Sequence, residues 1–218
     1  DGVTGVQTCA LPILIQASGA FDIKISEFFR VSGDFAFKKS TDILTVADTK
    51  GDADPANDVM TETPVDLLTV GGVGVSAFAG LNAGKAEALG LSLTDTGFAL
   101  VLAADQQNAQ RHWMSLKAES GAVAFVGMDG LTVGADTVRV EINRGYTETD
   151  GSLSVIDYQS QALEVQTGTG TTLTMDMDGT QGELLRASGN LHLNVFSFFS
   201  VDGSFAFSKT VETLKVLE

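Results

Sequence analysis

Asp52, Asp54, Asn57 and Asp58 stand together in the run D-A-D-P-A-N-D. Loop oxygens at that spacing can converge on a hard cation, so these four are the candidate metal ligands of the chain, with calcium as the cofactor they suit. The run departs from an EF-hand loop, because no glycine follows the third ligand and no glutamate closes the set. With Asp48, Gly51, Pro55, Glu62 and Pro64 around them, the same residues read first as a solvated acidic surface loop. A second acidic pair, Asp176 and Asp178, shares one strand parity and offers oxygens of the same kind.

Little else has catalytic potential. His192 lies between Leu191 and Leu193 on the outward parity of an alternating strand, which reads as a solvated histidine. His112 precedes the single tryptophan, Trp113, in a polar segment, where the aromatic reads as the anchor of a turn. Asp129-Gly130 and Asp202-Gly203 sit where strands end, and turn chemistry accounts for them. The sequence holds no G-x-S-x-G, no phosphate-cradling glycine loop after a strand and no Cys/His cluster. No catalytic or cofactor-binding residue is nominated, and the expectation is a protein that is not an enzyme.

Composition narrows the partners. A formal charge of −15 over 218 residues argues against nucleic acid and against anionic membrane surfaces, both of which want clustered lysine and arginine. A hydrophobic content of 44% is enough for a packed core. No apolar run approaches the ~18 residues of a membrane-spanning helix.

The elements that would position any site are dominated by a repeat. Leu14 to Asp48 and Leu184 to Glu218 align without a gap at an offset of 187 − 17 = 170 residues, with fourteen of thirty-five positions identical. The shared core includes Ala17, Ser18, Gly19, Phe28, Phe29, Val31, Gly33, Phe35, Ala36, Phe37 and Lys39, matched from Ala187 onward. Self-similarity at a fixed spacing marks a repeat array. The expected organisation is a tail over residues 1–13, one ~170-residue unit over 14–183 and the start of the next over 184–218. Neighbouring repeats of the same chain are then its first partners.

Each copy alternates: Phe21, Ile23, Ile25, Phe29 and Val31 on one parity, Asp22, Lys24 and Arg30 on the other. Ser32 and Gly33 interrupt the run, which predicts a hairpin turning at Gly33, and at Gly203 in the second copy. Leu44 and Val46 have switched parity from Phe35 and Phe37, which predicts an intervening bulge. A smaller unit, apolar-x-apolar-x4-apolar-x-apolar, recurs at Leu68/Val70/Val75/Ala77, Leu91/Leu93/Phe98/Leu100, Leu116/Ala118/Val123/Phe125 and Leu131/Val133/Val138/Val140. Either each unit is a hairpin about its centre, or each turns the corner of a β-solenoid. Short helical turns are expected near Gly84 to Leu89 and from Asp105 to Met114. Ala99, Val101 and Ala103 alternate with Phe98, Leu100 and Leu102, so both faces of that strand should be covered. The fold class is all-β, an elongated repetitive architecture of stacked hairpins in a curved sheet or a solenoid-like stack.

Two resemblances attach to these residues. Val3 to Ile13, VTGVQTCALPI, resembles the translation of a sequencing-library adapter, which would make that tail foreign to the fold and the chain a fragment. The motifs A-S-G-x-L-x-L-x-V-x-x-F-F-x-V-x-G-x-F-A-F at Ala187 to Phe207 and L-T-V-G-x-x-x-V-x-A-F-x-G at Leu68 to Gly80 resemble the repeat region of giant, acidic, cysteine-poor bacterial proteins that are secreted or displayed on cell surfaces. That resemblance implies an extracellular or cell-surface location, a structural or adhesive role, and cell-surface or matrix components as further partners. The alternative function is a lipid-handling β-groove, for which Phe28, Phe29, Phe198 and Phe199 are suited, although packing in a core is the reading preferred for them. An open apolar channel would favour the groove and a filled interior the stalk. A polysaccharide-acting β-helix enzyme ranks third.

Overall fold

The computed structural model describes residues 14–50, 57–147 and 154–210. Its body is one antiparallel sheet of long strands in chain order: β1 (Ile15–Ile25), β2 (Phe29–Asp48), β3 (Val59–Leu81), β4 (Leu89–Asp105), β5 (Arg111–Val126) and β6 (Leu131–Thr147). After a lid segment the sheet continues through β10 (Leu184–Val195), beside β6, and β11 (Phe199–Thr210). The lid consists of β7 (Ser154–Ile156), which pairs with the end of β2, the separate hairpin β8 (Leu163–Gly168) and β9 (Thr171–Met175), and a 3-10 turn at Gly179–Gln181. The all-β class is as expected; of the hairpin sheet and the solenoid, both left open by the sequence, the chain forms an antiparallel sheet of consecutive strands, open, with β1 and β11 at its edges.

The hairpins turn elsewhere than the sequence suggests. β1 and β2 are joined by a short turn over residues 26–28, where Ser26 takes a left-handed φ of 53°, and Gly33 lies inside β2 opposite Phe21. Ile25 and Phe29 flank that turn as a pair, which is why one apolar parity survives it. In the second copy the turn is at residues 196–198 and Gly203 lies inside β11 opposite Leu191. The two copies otherwise share one register: Ala17 faces Phe37 as Ala187 faces Phe207, and Ile15 faces Lys39 as Leu185 faces Lys209.

Nor are the four recurring units hairpins or solenoid corners. Each lies within a single strand, one each in β3, β4, β5 and β6, and the x4 gap marks a break in the middle of that strand. Gly74 (φ 60°), Asp95 (φ 51°) and Thr137 (φ 48°) adopt left-handed backbone there, and Gly121 drops out of the pairing on both sides. A residue of that kind reverses strand parity, so both apolar pairs of a unit end on one face. Two contacts identify the face: a Cβ on Gly72 would meet Val75, three residues on, at 2.9 Å, and Phe98, across the strands, at 2.5 Å. β2 and β10 keep their parity and meet the reversing strands through one-residue register shifts, at Ser32/Asp34 and at Ser188/Asn190. A seam of irregularity therefore crosses the sheet.

The lid covers one face of one half of the sheet. Leu44, Val46, Val65, Leu67, Ala99, Val101, Ala103 and Trp113 of the sheet pack there against Ile156, Tyr158, Val165, Met175 and Met177 of the lid. Leu44 and Val46 lie on this face and Phe35 and Phe37 on the opposite one, and the register from Asp34 to Asp48 is unbroken, so no bulge intervenes. The small residues Ala99, Val101 and Ala103 are the covered ones, at 0–3% exposure, whereas Leu102 on the other face is 37% exposed. That strand has one covered face rather than two. Residues 106–110 and 82–88 are turns rather than helices, and Arg111 to Met114 already belong to β5. Asp105 accepts hydrogen bonds from the Gln107 and Asn108 amides and pairs with Arg111 at 3.1 Å, which satisfies the groups an N-cap would have bound.

The core is anchored by polar groups that are all partnered. Trp113 is 2% exposed and its indole N–H donates to the Ser154 carbonyl of the lid at 3.1 Å. It belongs to the core of β5, not to a turn. Tyr158 Oη donates to Ser115 Oγ at 2.9 Å, Ser115 Oγ to Asn143 Oδ1 at 2.9 Å, and Asn143 Nδ2 to the Ile156 carbonyl at 2.7 Å. Burial pushes the Tyr158 phenol well above its ordinary range. Among the described residues no buried side-chain polar atom lacks a partner, as a lid that is a permanent part of the fold requires.

Candidate functional site

The face opposite the lid is the exceptional surface of this molecule. Because of the seam it is apolar along nearly the whole length of the strands. One row of paired residues crosses it as Ala17, Phe37, Val70, Leu100, Leu116, Ile142 and Leu185. Beyond the seam another row runs Ile25, Phe29, Ala79, Leu91, Phe125, Val133, Leu193 and Val201. Between them Phe35 stands edge-on to Phe21 and Phe98, with ring centroids at 5.7 and 6.1 Å. Nothing among the described residues covers this face. Phe21, Ile23, Ile25, Phe37, Leu91 and Leu102 are all exposed, and so are Phe28, Phe29, Phe198 and Phe199, which do not belong to a core. Apolar residues that adjoin one another across every long strand differ from apolar residues scattered singly over an exterior, and such a contiguous surface marks a site of interaction.

Toward the lid end of the strands the face is hollowed into a concavity of about 590 Å³. Phe37, Leu68, Leu102 and Met114 line it, with Lys39, Asp66, His112 and Tyr146 as its polar members. The His112 ring stacks on Tyr146 at 6.4 Å, and Asp66 accepts a hydrogen bond from Gln106 at 3.0 Å. His112 is therefore part of a rim rather than of a turn. Arg144, next along, is engaged by Glu183 at 3.4 Å.

The other face beyond the lid is polar, and there the second histidine has a defined role. His192 Nδ1 lies 2.7 Å from Asp202 on β11 and Nε2 lies 2.8 Å from Asp136 on β6. Hydrogen bonds to Asp202, first, and then to Asp136 raise its pKa above the ordinary 6.5. Asp136 is held below the usual carboxylate range by Asn190, His192 and Thr137. The outward parity was legible in sequence; the two aspartates, 56 and 10 residues away, were not.

Of the candidate calcium ligands, Asp52 and Asp54 lie outside the described residues, while Asn57 and Asp58 lead into β3. Asp176 and Asp178 do not converge. Asp176 pairs with Lys117 at 2.7 Å, and Asp178 caps the 3-10 turn by accepting from the Thr180 amide at 2.9 Å. Among the described residues no three His, Cys, Asp or Glu side chains are grouped so as to hold a metal ion. No helix among them is long and apolar enough to cross a membrane, which leaves strands out of account. In comparison with known proteins, no family model, no curated protein and no solved structure matches the chain.

Proposed function

We propose that this chain is a non-catalytic repeat segment whose open apolar sheet face carries the hydrocarbon chains of lipids, as a groove extended from unit to unit outside the cell. The observation that carries this reading is the uncovered apolar face, which runs across every long strand and hollows at one end. An open face of this kind favours the groove over the filled stalk, because acyl chains are the partner that asks for hydrophobic area without patterned hydrogen bonding. A structural role is compatible with it. The second hairpin adds to the same sheet beside β6 in the register of the first, so further units would prolong both the sheet and its apolar face. An adhesive role draws support from the repeat-motif resemblance alone. A face-to-face pair of sheets is disfavoured by Lys39, His112 and Asp66, which such a pair would bury.

The test is photo-crosslinking with an acyl-chain lipid carrying a diazirine, followed by mapping of the labelled peptides. Label is expected on β2 to β5 at outward positions such as Phe37, Leu68 and Leu102. It should fall at least several-fold in Leu102→Lys, while the Trp113 near-ultraviolet dichroism stays native. Label confined to the lid or to the polar face, or unchanged in Leu102→Lys, would refute the reading.

A further inference from the structure

We infer that the groove selects single-chain amphiphiles with a monoanionic carboxylate head, long-chain fatty acids, and that Lys39 seats the head, with Lys209 doing so in the following hairpin. The inference rests on the lipid reading above and deepens it.

Cations are scarce in this chain, 13 against 28 carboxylates, and most of the described ones are committed. Arg30, Lys50, Lys85, Arg111, Lys117, Arg139, Arg144 and Arg186 each pair with a carboxylate. Lys24, Lys38, Lys39 and Lys209 are in no such pair among the described residues, and of these Lys39 lines the concavity of the apolar face. It is exposed, follows Phe35 and Phe37 on the outward parity of β2, and lines the concavity. Asp66, diagonal to it on β3 and in the same concavity, accepts from Gln106 and forms no ion pair with Lys39. Lys209 occupies the same register position in β11, opposite Leu185 as Lys39 is opposite Ile15. An ammonium in no ion pair among the described residues, at the end of an apolar track, is complementary to a molecule that is anionic at one end and hydrocarbon for the rest.

The dimensions agree. From Lys39 to Phe29 the strand rises about 34 Å at ~3.4 Å per residue, and half of a bilayer's hydrocarbon core, one acyl chain deep, is ~15 Å. A chain anchored at Lys39 therefore fits between it and the far end of the strand, past Phe37, the Phe35–Phe98 contact and Val31. The head is a carboxylate rather than a phosphate because one point charge is on offer. The guanidinium at this end, Arg144, whose fork would suit a phosphate, is engaged by Glu183.

The experiment uses the full chain and compares palmitate with hexadecanol by equilibrium binding of radiolabelled ligand at low and at high salt. Palmitate is expected to bind at least ten-fold more tightly, the margin shrinking with salt. In the double variant Lys39→Met, Lys209→Met the margin should vanish while hexadecanol affinity stays within two-fold, which also reports that the groove is intact. Equal affinity for acid and alcohol in the unaltered chain, or a margin that survives the double variant, would overturn the head-group assignment and leave the acyl groove standing. Preferential capture on phosphatidylglycerol vesicles over free palmitate would overturn it in favour of a phospholipid head. Failure of both palmitate and hexadecanol to bind would instead overturn the groove itself.

Discussion

His192 and Asp136 meet across the boundary between β6 and β10, with Nε2 of the imidazole 2.8 Å from the carboxylate. Asp202 takes the other nitrogen at 2.7 Å, so both ring nitrogens face carboxylates, and both contacts are hydrogen bonds only in the imidazolium form. The contact joins the second hairpin to the body of the sheet.

Its pH dependence follows from the two shifts. The raised His192 value means a contribution that is full below pH 6.5 and is lost as pH rises through the folded-state value. The lowered Asp136 value means one that is full above 3.8 and is lost as pH falls through its folded-state value. Docking of the hairpin should be firmest between those limits. Titration of the His192 ring protons by NMR is expected to give a midpoint above 6.5, moved down in Asp136→Asn. A midpoint at or below 6.5 in the unaltered chain would contradict the pairing.

The lid depends on close backbone approach. A Cβ on Gly145 would lie 1.8 Å from the Ser154 carbonyl oxygen and 3.3 Å from Trp113 Cδ1, so Gly145→Ala must displace β7 and disturb the indole hydrogen bond to Ser154. Loss of about 1–3 kcal/mol is expected in urea unfolding, with a shift in Trp113 emission. Trp113→Ala should cost more, about 3–5 kcal/mol, because it empties a site that is 2% exposed. An alanine at position 145 that leaves stability and emission unchanged would mean that the lid is not seated there.

How much of this was readable in advance differs by level. Strand character, the all-β class and the equivalence of the two hairpins were written in the alternation of Phe21 to Ile25 and in the 170-residue offset. The turns were misplaced because Gly33 is the more obvious breaker, yet the chain reverses at Ser26 to Phe28, where local signals are weak and cross-strand pairing decides. The seam is hidden in the sequence for a related reason. An x4 gap states only that parity changes, and a hairpin, a corner and a left-handed residue inside a strand all change it. Which apolar parity the lid would cover was not legible either, because the small set, Ala99, Val101 and Ala103, is buried and the large set is open. Composition normally argues the other way.

The seam itself makes a prediction. Asp95 sits in it with a left-handed φ of 51°, a conformation that costs an ordinary side chain about 1–2 kcal/mol and a glycine nothing. Asp95→Gly is expected to hold or raise the urea midpoint, and Asp95→Val to lower stability by about that amount. Stabilisation by valine would mean that β4 runs straight through, with Leu93 and Phe98 on opposite faces.

Ala36 and Ala206 occupy the same register position in the two hairpins, opposite Ser18 and Ser188, and their surroundings differ. Ala36 is 3% exposed beneath the lid and beside β3, whereas Ala206 is exposed and β11 pairs with β10 alone among the described residues. Phe205 and Phe207 are likewise exposed, at 40% and 52%. An unpaired edge carrying apolar side chains is a template for association. If the 170-residue offset is a structural period, a chain with residues 14–183 in duplicate ahead of 184–218 supplies the missing neighbours to one more hairpin and leaves the exposed edges unchanged in number. Nearest-neighbour coupling then requires that the longer chain unfold at a higher urea concentration than the 218-residue one and that its sedimentation show no greater tendency to associate. Equal midpoints would mean that the units fold without reference to one another. The second hairpin would then be an appendage of this sheet rather than the beginning of its continuation.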